Sequence, residues 1–133
     1  GICLGLQSLL EESEEDNGTP GLGIIPGCVK KFGTGARDKK KGALKLPHMG
    51  WNRVVQKKPH SPWQGIRSGE RFYFVHSFYV EPANQQDIAA TSNYVVDFTA
   101  VVARDNLFAT QFHPEKSQKA GLTLLSNCLS WEP

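Results

Sequence analysis

The sequence predicts an α/β fold. Three observations carry this: a segment of helical period directly after a glycine-flanked turn at the start, a run dense in aromatic and β-branched residues in the middle, and a leucine-rich helical pattern at the end. At 133 residues the chain has room for one core. A hydrophobic content of 39% and a charged content of 21% are ordinary for a soluble globular chain, and a net charge of +2 gives no expectation of nucleic acid as a partner. No apolar run reaches membrane-spanning length and no signal peptide is visible, so a cytoplasmic location without a membrane partner is expected. The three cysteines, Cys3, Cys28 and Cys128, are odd in number and lack metal-ligand spacing. They read as free thiols in a reducing compartment, with no metal.

Taken in order, residues from Leu4 to about Glu15 place Leu6, Leu9 and Leu10 on one side of a helix that Gly18 and Pro20 end. "GLGIIPGCVKKF" gives a strand near Ile24 and Ile25 and another from Cys28 to Phe32. "GTGARDKKKGA" is a loop by composition. Around it lie seven of the fifteen Lys and Arg residues: Lys30, Lys31, Arg37, Lys39, Lys40, Lys41 and Lys45. Without interleaved aromatics they read as a solvated face, balanced by the acidic cluster Glu11 to Asp16. "ALKLPHMGWNRVV" is extended with a Pro-His-Met-Gly-Trp turn inside it, and "RFYFVHSFYV" is a strand. "FTAVVARDNLFATQF" is a hairpin turning at Arg104, Asp105 and Asn106. Ser117 is the expected N-cap of a last helix whose apolar face is Leu122, Leu125 and Leu129, with Leu124 and Cys128 beside it.

Two motifs carry chemistry. Gly1-Ile2-Cys3-Leu4-Gly5 has the form of a nucleophile elbow, in which small flanking residues allow a strained strand-to-helix turn. The helix start favours the Cys3 thiolate, and the Leu4 amide supplies one half of an oxyanion hole. A small buried cysteine at a tight turn has the same sequence signature. In "QFHPEKS" the proline keeps His113 extended, so that Glu115 projects to the same side and orients the imidazole as a general base. Together, Cys3, His113 and Glu115 favour a catalytic triad over a structural histidine and a capping acid.

"GICLGLQ" with "HPEKS" resembles the class I glutamine amidotransferases, which hydrolyse glutamine with a Cys-His-Glu triad. "LPHMGWN", "FYFVHSFYVEP" and "RDNLFATQFHPEKSQKAGLTLLSN" resemble one branch of that family, the glutaminase subunits of imidazole glycerol phosphate synthase in histidine biosynthesis. The resemblance implies a three-layer α/β sandwich with a mixed central sheet, of which residues 1–133 would be the C-terminal part of a single domain. The N-terminal strands and the turn holding a second oxyanion donor would lie outside it, and this chain alone would be poorly stable and nearly inactive. The resemblance further implies Gly5, Gln7, His76, Ser77 and Phe78 as glutamine-binding positions, the 76–78 stretch acting largely through its main chain. It implies Met49, Gly50, Trp51 and Lys116 as the face meeting a (β/α)₈-barrel synthase (cyclase) subunit that receives the ammonia, with no cofactor. His48 would be structural, His60 a surface residue, and Cys28 and Cys128 packing residues. Another cysteine hydrolase of the elbow type and a non-catalytic partner-binding relative remain the rival readings.

Overall fold

The opening helix is shorter than its periodicity suggests. In the computed structural model, which describes residues 1–33, 37–38, 42–43 and 45–133, helix α1 spans only Leu4–Gln7. The Ser8 hydroxyl donates back to the Leu4 carbonyl, and the chain then leaves the helix to pair. Strand β1 (Glu12–Ser13) lies parallel to β3 (Gly27–Lys31) and antiparallel to β2 (Thr19–Pro20). The acidic residues expected on an exposed helix face have other work here. Glu11 accepts the Gly27 N–H at 2.9 Å and Glu14 the Lys31 N–H at 2.8 Å. The positive charge of Lys30 is met by Glu81 at 2.6 Å, outside the acidic cluster.

The strand expected near Ile24 and Ile25 is irregular chain: Ile25 is buried, and its N–H donates to the Leu9 carbonyl at 2.9 Å. The basic loop contains a short ribbon of β4 (Arg37–Asp38) with β5 (Gly42–Ala43); the charges at Lys39, Lys40 and Lys41 lie outside the described residues. Of the expected turn in "PHMGW", only Leu46-Pro47 bends. His48 to Gln56 form one strand, β6, because Gly50 takes a φ of +131° that keeps the chain in the ladder. The aromatic run is two strands, β7 (Glu70–His76) and β8 (Phe78–Pro82). It breaks at Ser77 because the two halves serve different neighbours: β7 pairs with β6, and β8 with β3 and β10. Strand β9 (Ile88–Tyr94) is an addition to the expected set, and the hairpin of β10 (Val96–Arg104) with β11 (Leu107–Thr110) turns where expected.

The resulting mixed sheet runs β2-β1-β3-β8-β10-β9-β6-β7, with β11 on β10. This is the α/β class the sequence predicts. One core cluster centres on Phe32, Phe72, Phe74, Phe98 and Phe112; the other, beneath the opening turn, joins Leu6, Leu10 and Ile25 to Val29, Val80 and Val102. Each such buried side chain contributes about 1.5–3 kcal/mol of transfer free energy.

Helix α2 (Gln118–Ser130) packs on a face rotated from the leucine stripe. Leu122 and Leu129 are 63% and 89% exposed, whereas Gly121 and Leu124 are buried and Cys128 packs against the core. Gly121 sets that rotation. A Cβ there would lie 1.9 Å from the Pro114 carbonyl oxygen, so only glycine lets the helix approach the 113–115 backbone. Ser117 stands at the N-cap position without a capping bond; its hydroxyl instead donates to the His113 carbonyl and accepts the Tyr73 N–H. His60, expected on the surface, is half-buried between Phe108 and Trp131 at the end of α2.

Candidate active site

Cys3 sits at φ +50°, ψ −106°, a left-handed conformation costly for a residue with a Cβ. Four contacts hold it there. Its N–H donates to the Thr110 carbonyl at 2.7 Å, the Thr110 N–H donates to the Gly1 carbonyl at 2.9 Å, and its own carbonyl accepts from Leu6 and Gln7. Gly1 is required because a Cβ on it would lie 2.9 Å from the Gly5 backbone. Gly5 itself faces open space, which leaves an approach to the elbow. The Leu4 amide hydrogen-bonds toward the Cys3 sulfur. A one-turn helix offers this local amide and little macrodipole, so the dipole expected from a long helix is absent.

His113 is extended, at φ −99°, ψ +99°, and Pro114 starts a 3₁₀ turn over Pro114–Lys116. The turn, and not strand alternation, swings the Glu115 carboxylate back to accept from His113 Nδ1 at 2.6 Å. That bond leaves Nε2 as the basic nitrogen. The same strand, β7, places both groups: the His113 N–H donates to the Tyr73 carbonyl at 2.9 Å, and the Cys3 sulfur lies 4.0 Å from the Val75 carbonyl. Burial pushes the Cys3 thiol up, hydrogen bonds from Leu4 and Gln111 draw it down, and the negative charge of Glu115 raises it.

Gln7 reaches across to donate to the Phe78 carbonyl at 3.1 Å and to Gln111 Oε1 at 3.2 Å. Gln111, fully buried between Thr110 and Phe112, joins Gln7 to the Cys3 sulfur and was not among the residues expected from the sequence. His76 is buried, with its ring committed to the Phe78 carbonyl at 2.7 Å and to His48 at 2.8 Å, so its side chain is turned into the structure. Burial lowers His48 to about 3 and His76 to about 4, which keeps both rings neutral. The Ser77 carbonyl accepts the Phe32 N–H.

Met49 and Trp51 are 62% and 44% exposed on β6. Trp51 packs at a T-shaped angle against Tyr73, and Lys116 Nζ lies 6.0 Å over that ring, joining these residues to the His113 segment. A groove of about 650 Å³ opens between Trp51, Arg71, Gln118 and Lys119, and a smaller one of about 310 Å³ runs along Leu4, Gln7 and Ser8. Among the described residues there is no cluster of three His, Cys, Asp or Glu able to hold a metal, and no helix is long and apolar enough to cross a membrane.

A thiol and a carboxylate-oriented imidazole are the groups that can attack a carbonyl and protonate a leaving group, and one of each is held against β7. The sequence model of glutamine amidotransferase class-I matches residues 1–130. The chain is 56% identical, over its whole length, to the imidazole glycerol phosphate synthase subunit HisH of Aromatoleum aromaticum, and 58% identical to those of Nitrosospira multiformis and Methylococcus capsulatus. It spans 63%, 62% and 62% of those relatives.

Proposed function

We propose that this chain, which belongs to the class I glutamine amidotransferase family, carries the glutaminase site of an imidazole glycerol phosphate synthase. The observation that supports it best is the His113–Glu115 pair, which is tied by the His113 N–H to β7, the strand whose Val75 carbonyl lies beside the sulfur of the strained Cys3.

In this reading the Cys3 thiol gives its proton to His113 Nε2, and the thiolate attacks the side-chain amide carbon of glutamine. The Leu4 amide receives the developing oxyanion. His113 then hands the proton to the leaving nitrogen, the C–N bond breaks and ammonia departs, leaving a γ-glutamyl thioester on Cys3. Water, deprotonated by the same imidazole, hydrolyses the thioester to glutamate and restores the thiol. Gly5, Gln7 and the Ser77-Phe78 wall hold the substrate, and His76 acts through the wall. The ammonia passes to a (β/α)₈-barrel synthase subunit that seats on Met49, Gly50, Trp51 and Lys116, where an exposed tryptophan is a suitable anchor.

An electrophilic glutamine analogue tests the site. In the whole protein it is expected to label Cys3 and spare Cys28 and Cys128, read by peptide mapping. Labelling of neither Cys3 nor any other cysteine supports the non-catalytic relative. Turnover of esters with no turnover of glutamine supports another cysteine hydrolase.

A further inference from the structure

We infer that Gln111 is a working part of this site: its amide nitrogen stabilises the Cys3 sulfur as an anion, while its amide oxygen fixes Gln7 against the substrate. The assignment to substrate rests on the glutaminase reading; the assignment to sulfur does not.

Gln111 is fully buried, and both ends of its amide are used. Its Nε2 lies 3.6 Å from Cys3 Sγ, and its Oε1 accepts from Gln7 Nε2 at 3.2 Å. The direction of this chain is set by one atom. The Phe78 carbonyl can only accept, so the group of Gln7 that meets it must be the NH₂. The same NH₂ reaches Gln111, whose facing atom must then be the oxygen. That leaves the Gln111 NH₂ toward the sulfur. A reversed amide would set NH₂ against NH₂ at Gln7, losing that bond, and would face a sulfur anion with an acceptor.

The backbone supports this aim. The Gln111 N–H donates to the Ala100 carbonyl at 2.8 Å, continuing the β10–β11 pairing one residue past the end of the strand. Thr110, its neighbour, holds the elbow, so a single stretch of chain positions the cysteine by its main chain and by the next side chain. A glutamine kept only for packing would need partners for its amide but no particular ones. Here one partner is the reacting sulfur and the other is the residue at the substrate position. A hydrogen bond to a charged group favours that form by about ten- to a hundred-fold.

The test follows the rate of Cys3 alkylation by iodoacetamide against pH in the whole protein, read by mass spectrometry. The charge that acts on the sulfur is Glu115, whose carboxylate holds His113, and His113 in turn acts on His76 of β7; all three remain in the variants. Gln111→Leu is expected to move the midpoint up by about one pH unit. Gln111→Glu, nearly the same shape, is expected to move it further, and it carries the test where the leucine variant does not fold. Lost packing alone would lower the folded fraction without moving the midpoint. Midpoints unchanged in folded variants overturn the assignment to sulfur. Glutamate release by the wild-type protein separates the two readings: a shifted midpoint without glutamine turnover leaves Gln111 on the sulfur and removes glutamine as substrate, whereas turnover with unmoved midpoints does the reverse.

Discussion

Replacing Cys3 by alanine is expected to abolish glutamine-dependent turnover, by about four to six orders of magnitude, while the synthase partner keeps its use of free ammonium. The two halves of that result come from different parts of the molecule. Without the thiol no thioester forms, and the Leu4 amide and bound substrate alone give only residual catalysis. Met49 and Trp51, the proposed partner contacts, are on β6, outside the elbow, and the elbow's backbone bonds to Thr110 do not involve the sulfur. Alanine also keeps a Cβ at the strained φ, so the fold meets no new demand there. Initial rates with glutamine and with ammonium salts check this. Loss of both activities would assign Cys3 a structural role.

Acid is expected to unfold this protein through the buried His48–His76 pair. The Phe78 carbonyl requires a proton on His76 Nδ1, so His76 Nε2 accepts from His48 Nδ1, and His48 Nε2 faces the Asn52 amide at 3.4 Å. Every ring nitrogen is then matched, and no site remains for a second proton on either ring. Their folded pKa values, about 3 and about 4, lie below the value of 6.5 for a free imidazole. The unfolded chain therefore binds more protons throughout the window from about 6.5 down to those values. Stability is fully present above that window and falls as pH drops through it, by at most about 1.4 kcal/mol per pH unit for each imidazole. Urea midpoints at pH 7 and pH 4.5 measure the loss, and a His48→Gln/His76→Gln double variant is expected to flatten it. A wild-type midpoint equal at both pH values would contradict the assignment. Because the Phe78 carbonyl also holds Gln7, the same protonation is expected to loosen the Gln7 side chain.

Local chemistry was readable where it is local. Gly1 before Cys3 and the proline after His113 each state a backbone requirement in the sequence itself, and the structure meets both, whereas Gly5 faces open space. Alternation and turn residues likewise placed the hairpin of β10 and β11. What escaped depends on partners distant in sequence. The acidic residues after Leu10 look like a solvated helix face until Gly27 and Lys31 arrive to take their carboxylates. Leucine periodicity chose the wrong face of α2 because the close approach at Pro114 is decided by a glycine that a hydrophobic pattern counts as blank. Gln111 and the histidine pair were missed as networks because their order is dictated by the Phe78 carbonyl, and a main-chain acceptor leaves no trace in side-chain identity.

The central claim is that this chain carries a glutaminase site serving a synthase barrel, and glutamate release from glutamine by the whole protein, with and without a matching barrel subunit, tests it most directly. Release that requires Cys3 and rises when the barrel is added is the expected result. No release under either condition, from folded protein whose Cys3 is free to react, would contradict it.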